Sequence, residues 1–138
     1  EGDDATSCVY NIINKLSYDA AATISFEKGT YHFYPEFAYE KYCYISNHND
    51  VMARIAFMLK DKRNLTIDGN GSKFIFHGRM IPFLMENCKN IRVKNLSIDF
   101  AEPFHSESII TSHNSDGSFD MSISKEYPYE IRNGQLVC

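Results

Sequence analysis

The stretch RIAFMLKDKRNLTI, residues 54–67, can be set over MIPFLMENCKNIRV, residues 80–93, without a gap. Ile55 then falls on Ile81, Phe57 on Phe83, Met58 on Leu84 and Leu59 on Met85. Asn64 falls on Asn90, Leu65 on Ile91 and Ile67 on Val93, all at one offset of 26 residues. Apolar identity and the position of an asparagine bend repeat together, which marks a structural repeat.

Each repeat holds short apolar triplets separated by polar bends, too short to form separate hairpins. Strands of about three to five residues with polar corners suit a solenoid, each strand pairing in parallel with its copy one turn away. Apolar residues then stack in columns, and a corner Asn tolerates left-handed backbone and can bond to the Asn above it. Leu96-Ser97-Ile98 is the expected counterpart of Phe74-Ile75-Phe76. The bend Asp68-Gly69-Asn70-Gly71-Ser72 is one or two residues longer than Lys94-Asn95. That bend lacks the Lys-Ser/Thr ending and following helix of a phosphate loop. It is a corner of the coil.

A solenoid's open end needs a cap. Asp3 and Asp4 precede a segment in which Cys8, Ile12 and Leu16 recur at four-residue steps, with Val9 and Ile13 beside them. This predicts an amphipathic helix able to plug the first coil. Thr23–Phe26 and Thr30–Tyr34 follow as strands around Glu27-Lys28-Gly29, and residues 36–50 read as a connection rich in aromatics. Adding 26 once more places Phe83 on Ile109 and Leu84 on Ile110, so one further strand fits. Beyond it Phe119–Ile123 alternates strictly and Asn133-Gly134 signals a tight turn. The expected organisation is a capping helix and first coils over residues 1–112, then a truncated β-meander or barrel over 113–138. The start at Glu1 matches a mature or trimmed product, and the end at Cys138 falls mid-element, as in a piece of a longer protein.

Composition excludes several classes. A net charge of −4 with scattered Lys and Arg gives no electrostatic case for nucleic acid. No apolar run is long enough for a membrane span. Cys8, Cys43, Cys88 and Cys138 lack metal spacing and are too sparse for a disulfide scaffold, so they are expected as small core residues with their pairing open.

Asp3-Asp4 before a helix and then ISFEKGTYHFYP resemble the entry of pectate-lyase-like right-handed parallel β-helices. YISNHND, NLTIDGNGSKFIFHGRMIPFLMENCKNIRVKNLSIDF and YPYEIRNGQL together resemble glycoside hydrolase family 110, the bacterial α-1,3-galactosidases. The resemblance covers nearly the whole chain, with FHGRMIPF and SIDF its most distinctive segments. It implies a mainly β fold, a right-handed parallel β-helix interrupted by β-barrel insertions. The implied activity is hydrolysis of terminal α-1,3-linked galactose with inversion and no cofactor, by an extracellular or periplasmic protein. The family's essential aspartates fall in later coils, so no catalytic residue carries over and the chain alone is expected to be inactive.

An inverting glycosidase needs an acid and a base about 6.5–9.5 Å apart. Asp99 and Glu102 form the only close carboxylate pair at the end of a repeat strand. Asp99 is expected on the outer surface, where it could hold sugar hydroxyls or cap backbone N–H groups before Pro103. His77 and Arg79, around Gly78, could grip sugar hydroxyls or pair with a carboxylate. The four residues Asp99, Glu102, His77 and Arg79 are therefore the substrate-binding candidates, and no metal site is expected. Asp68 fits a routine turn residue, and His48 among Asn47, Asn49 and Asp50 fits a solvated loop rather than a cation cage. Tyr31, Phe33, Tyr34, Phe37, Tyr39, Tyr42 and Tyr44 could stack on a pyranose, but most are expected to pack over the coil. Asn64, Asn70 and Asn95 match the glycosylation pattern; Asn64 and Asn95 lie at coil corners and are discounted in a bacterial protein. The competing class is a non-catalytic carbohydrate-binding or adhesin-like module. A polysaccharide lyase would want a basic and calcium-binding cluster that is not evident. The open coil end could also support self-association.

Overall fold

The computed structural model describes residues 4–19, 21–44, 49–103 and 105–137. It is mainly β, with parallel ladders, antiparallel hairpins and one α-helix among the described residues. Two compact units divide the chain, Glu1–Ala101 and Glu102–Cys138. No helix among the described residues is long and apolar enough to cross a membrane.

The first unit opens with helix α1 (Thr6–Lys15). Asp4 Oδ1 accepts the N–H of Thr6 at 2.8 Å, satisfying a donor that the first turn cannot. Thr6, Val9 and Ile13 are buried and Leu16 is half-buried. Cys8 and Ile12 are exposed, contrary to the expected face. Adjacent helical positions lie about 100° apart, so packing along the Val9–Ile13 edge turns Cys8 and Ile12 outward.

Strands β1 (Ala22–Ser25), β2 (Thr30–Phe33), β3 (Tyr39–Cys43), β4 (Val51–Lys60), β5 (Arg63–Phe76), β6 (Ile81–Glu86) and β7 (Lys89–Phe100) complete this unit. The parallel pairing that the repeat predicts is present. On β4 and β6, Ile55 stands opposite Ile81 and Phe57 opposite Phe83. On β5 and β7, Leu65 stands opposite Ile91 and Ile67 opposite Val93. The other edge of β5 takes β1 along its first part and β2 along its second, both in parallel.

After the corner the register changes. Ser72 faces Leu96, Phe74 faces Ile98 and Phe76 faces Phe100. The first bend is thus two residues longer, and Leu96-Ser97-Ile98 pairs with Ser72-Lys73-Phe74 rather than with Phe74-Ile75-Phe76. The apolar pattern hid this because the column begins at a polar residue. Ser72 is buried, donating its hydroxyl to Glu27 O at 3.0 Å and accepting the Gly29 N–H at 3.2 Å.

Corners carry the asparagines. Asp61, Asn64, Asn70, Asn87, Asn90 and Asn95 all hold φ between +50° and +57°, a region where short polar side chains are enriched. Between them Phe33, Phe57, Phe74 and Phe76 are fully buried, with Phe33 stacked on Phe76 at 4.8 Å and Phe57 on Phe83 at 4.4 Å. Exposure rises on β6 and β7, where Met85 is 49% and Ile98 45% exposed. Their strands pair on one edge only among the described residues.

Two further expectations change. Residues 36–50 are more than a connection: a 3-10 turn at Pro35–Phe37 leads into β3, which pairs antiparallel with β4. Phe37, Tyr42 and Tyr44 are 61%, 65% and 71% exposed, so much of the aromatic cluster does not pack over the coil. This hairpin lies at a sheet edge, where one face meets solvent. Cys43 and Cys88 are only half-buried and, like Cys8, are free thiols. Asp3, His48 with Asn47, and Cys138 lie outside the described residues.

In the second unit, β8 (Ser108–His113) pairs antiparallel with β9 (Phe119–Ile123), and β10 (Glu130–Arg132) with β11 (Gln135–Val137). Asn133 and Gly134 both have positive φ, +52° and +76°, which a tight two-residue hairpin turn requires. The expected meander is therefore two separate two-stranded sheets. Ile109 and Ile110 belong to an antiparallel hairpin and do not extend the parallel 26-residue column. Ile109 and Ile131 are 73% and 65% exposed, as befits isolated hairpins too small to bury a face.

Candidate functional site

The candidate site is the outward face of the sheet formed by β2, β5 and β7. Side chains alternate across a strand. Phe74 and Phe76 point into the core, so Lys73, Ile75 and, just past the strand end, His77 lie on the outer side. The register sets His32 opposite Ile75 and Ile75 opposite Asp99. Asp4 bridges to His32 on the far edge, which completes the row Asp4, His32, Ile75, Asp99.

Two diagonal contacts cross this row. Lys73 Nζ reaches Asp99 at 2.9 Å, and Asp99 Oδ1 also accepts the N–H of Phe100 at 2.9 Å. The hydrogen bond from Lys73, then that from Phe100, holds the Asp99 carboxyl below the usual carboxylate range. In the other direction His77 Nε2 meets His32 Nδ1 at 2.9 Å. The Tyr34 ring stacks on His77 at 4.1 Å with an interplanar angle of 13°. The backbone is fixed there too, since His77 N–H donates to Phe33 O at 2.9 Å.

The structure thus places His77 and Asp99 on one face, each engaged by a neighbour. Arg79 lies beyond Gly78, whose φ is +62°; its guanidinium is exposed and pairs with nothing among the described residues. Glu102 belongs to the second unit and is exposed. The sequence did not single out His32 or Lys73. Their signal lies in the register: once the longer first bend shifts the offset from 26 to 24, Lys73 lies two residues before Asp99's partner Ile75.

A second polar group sits at the corner. Asp68 takes Lys94 at 2.8 Å, the Asn70 N–H at 3.0 Å and the Asn95 amide at 3.0 Å. These partners, Lys94 foremost, lower its pKa to about 2. Elsewhere a shallow pocket of about 170 Å³ opens between α1 and β4, lined by Tyr10, Asn14, Tyr39, Met58, Lys60 and Lys62 among others. Its lysines are committed, Lys62 to Leu16 O at 2.8 Å and Lys60 to Glu86 at 3.5 Å, and no carboxylate lines it.

Fold and site together define a mainly β protein of in-register parallel strands, tied by amide ladders at the corners and presenting a polar outer face. No protein-family model matches the chain. It is 34% identical over 137 residues to alpha-1,3-galactosidase A of Shewanella woodyi, a match covering 99% of this chain and 22% of that protein. With alpha-1,3-galactosidase B of Bacteroides thetaiotaomicron the identity is 39% over 135 residues, 97% of this chain and 22% of the other. A segment covering 67% of the chain is 42% identical to alpha-1,3-galactosidase B of Phocaeicola vulgatus, 16% of that protein's length. The chain is a homologue of the bacterial alpha-1,3-galactosidases, and spans about a fifth of their length.

Proposed function

We propose that the chain is the N-terminal segment of a secreted or periplasmic glycoside hydrolase, an inverting exo-α-1,3-galactosidase that releases terminal galactose from glycans. In this proposal the stacked parallel strands are the first coils of a right-handed parallel β-helix. Helix α1 caps them, and the outer face forms one wall of a sugar cleft. The observation that carries it is the near end-to-end match to galactosidases, combined with the 26-residue parallel ladder that the sequence repeat specifies.

The acid and base are supplied from outside these residues. A glycosidase acid must keep its proton near neutral pH, which calls for a raised pKa. Among the described carboxyls with displaced acidity, Asp68, Asp99 and Asp116 are all shifted downward. Asp99 and His77 shape the wall through Lys73 and His32. Arg79 is exposed just past the end of β5 and is a side chain of the first unit that can meet a hydroxyl.

The test is an exchange. The 138-residue chain replaces the matching segment of the Bacteroides thetaiotaomicron galactosidase, and galactose release from an α-1,3-linked digalactoside is followed by NMR. Release by the chimera, first as the β-anomer, with none from the isolated chain, is the expected result. Turnover by the isolated chain would overturn the placement of the acid and base. A folded chimera with no turnover favours a binding or adhesin-like module.

A further inference from the structure

The galactosidase proposal leaves one cluster on the outer face without a chemical role. His32 Nδ1 and His77 Nε2 stand 2.9 Å apart. Two neutral imidazoles meet in this way when the N–H of one donates to the lone pair of the other. The same separation also suits two donors held cis on one metal ion. With metal–nitrogen bonds of about 2.0–2.1 Å, that edge subtends about 90°, whereas a tetrahedral angle needs about 3.3 Å. A right-angled pair of imidazoles belongs to tetragonal coordination, which Cu(II) and Ni(II) favour.

The frame around the two rings is fixed. His32 is held in the β2–β5 ladder, and His77 is anchored through its N–H to Phe33 O. Tyr34 stacks on His77 at 4.1 Å and lies 6.4 Å from His32, also near parallel, so both imidazoles pack beside one aromatic ring. Both histidines are half-buried.

We propose that His32 and His77 form a two-imidazole site for a tetragonal divalent transition metal, Cu(II) foremost, on the outer face of the sheet. Among the described residues no third His, Cys, Asp or Glu completes a cage. When both rings are neutral, binding requires that the donating ring move its proton to its other nitrogen and that both rings turn their lone pairs from each other toward the metal. The bridging hydrogen bond is replaced by two metal–nitrogen bonds.

Titration of the chain with CuCl₂, read by electron paramagnetic resonance, tests the site without recourse to enzymatic activity. One equivalent should give an axial signal with hyperfine splitting from two imidazole nitrogens. His32→Gln and His77→Gln should each lose it, while a variant with His48, His105 and His113 all changed to Gln should keep it. Should either single variant fail to fold, bound Cu(II) in the unaltered chain should protect His32 and His77 from diethylpyrocarbonate, as mapped by mass spectrometry. A signal that survives His32→Gln or His77→Gln, or equal modification of both histidines with and without copper, overturns the site.

Discussion

Asn90 donates its side-chain amide to the side-chain oxygen of Asn64 at 2.8 Å, and the two residues share left-handed backbone, with φ of +57° and +53°. They lie 26 positions apart, so the bond ties one sequence repeat to the next. Asn87 to Asp61 at 2.6 Å and Asn95 to Asp68 at 3.0 Å repeat the device at the other corners.

Replacing Asn90 therefore removes two things that different substitutions separate. Asn90→Ala loses the amide bond and also strains a left-handed position, a combined cost of about 1–3 kcal/mol. Asn90→Gly loses the bond but relieves the backbone, so its loss should be smaller. Urea unfolding of the two variants measures the difference. Equal losses would show that the backbone angle contributes nothing.

Gly69 is needed for space rather than for its torsion angle. A Cβ built on it would lie 2.5 Å from Leu96 Cβ and 2.7 Å from Asn95 O. Gly69→Ala should destabilise the chain by about 1–3 kcal/mol through overpacking at the corner. In a double-mutant cycle with Leu96→Gly, which removes the clashing Cβ, the combined loss in thermal melts should be less than additive, since the closest of the contacts is then gone.

Phe74 and Ile98 stand opposite each other on the parallel strands β5 and β7, yet Phe74 is fully buried and Ile98 is 45% exposed. Phe74→Ala should cost about 3–5 kcal/mol, the usual range for emptying a buried aromatic site. Ile98→Ala should cost well under half as much. Denaturant titrations of both variants check the ratio, and near-equal costs would mean that β7 is packed as tightly as β5.

Asp68 should make stability depend on acid. Its folded pKa is lowered to about 2, against about 3.9 for an unperturbed Asp. A carboxyl depressed in this way stabilises the fold above its unfolded value, and that stabilisation is lost as pH falls from about 4 through 2. Asp68→Asn should flatten the fall in urea midpoint across this interval relative to the unaltered chain. An unchanged slope would assign the acid sensitivity to other carboxyls, Asp99 and Asp116 being the next candidates.

Much of the first unit was legible because its rules are local. Alternation of Leu65, Ile67, Phe74 and Phe76 marks the strand face, and left-handed Asn at a corner needs no distant partner to be favourable. Columns of like residues follow once two turns share a sequence, which is why Ile55 over Ile81 and Asn64 over Asn90 could be read directly. The shifted register past Ser72 was hidden, since its buried hydroxyl is satisfied by Glu27 and Gly29, both distant in the chain. β3 was missed for a related reason: its pattern is polar and aromatic, and its pairing with β4 is decided across a connection.

The sequence by itself determined the stacking period, the inward columns, the left-handed corners and the likeness to galactosidases. These depend on spacing along the chain, where residue type and backbone preference act within a few positions. Only the tertiary structure decided which outward side chains meet. His32 with His77, Lys73 with Asp99 and Tyr34 over His77 come together because adjacent parallel strands lie about 4.8 Å apart, which puts residues tens of positions apart within contact.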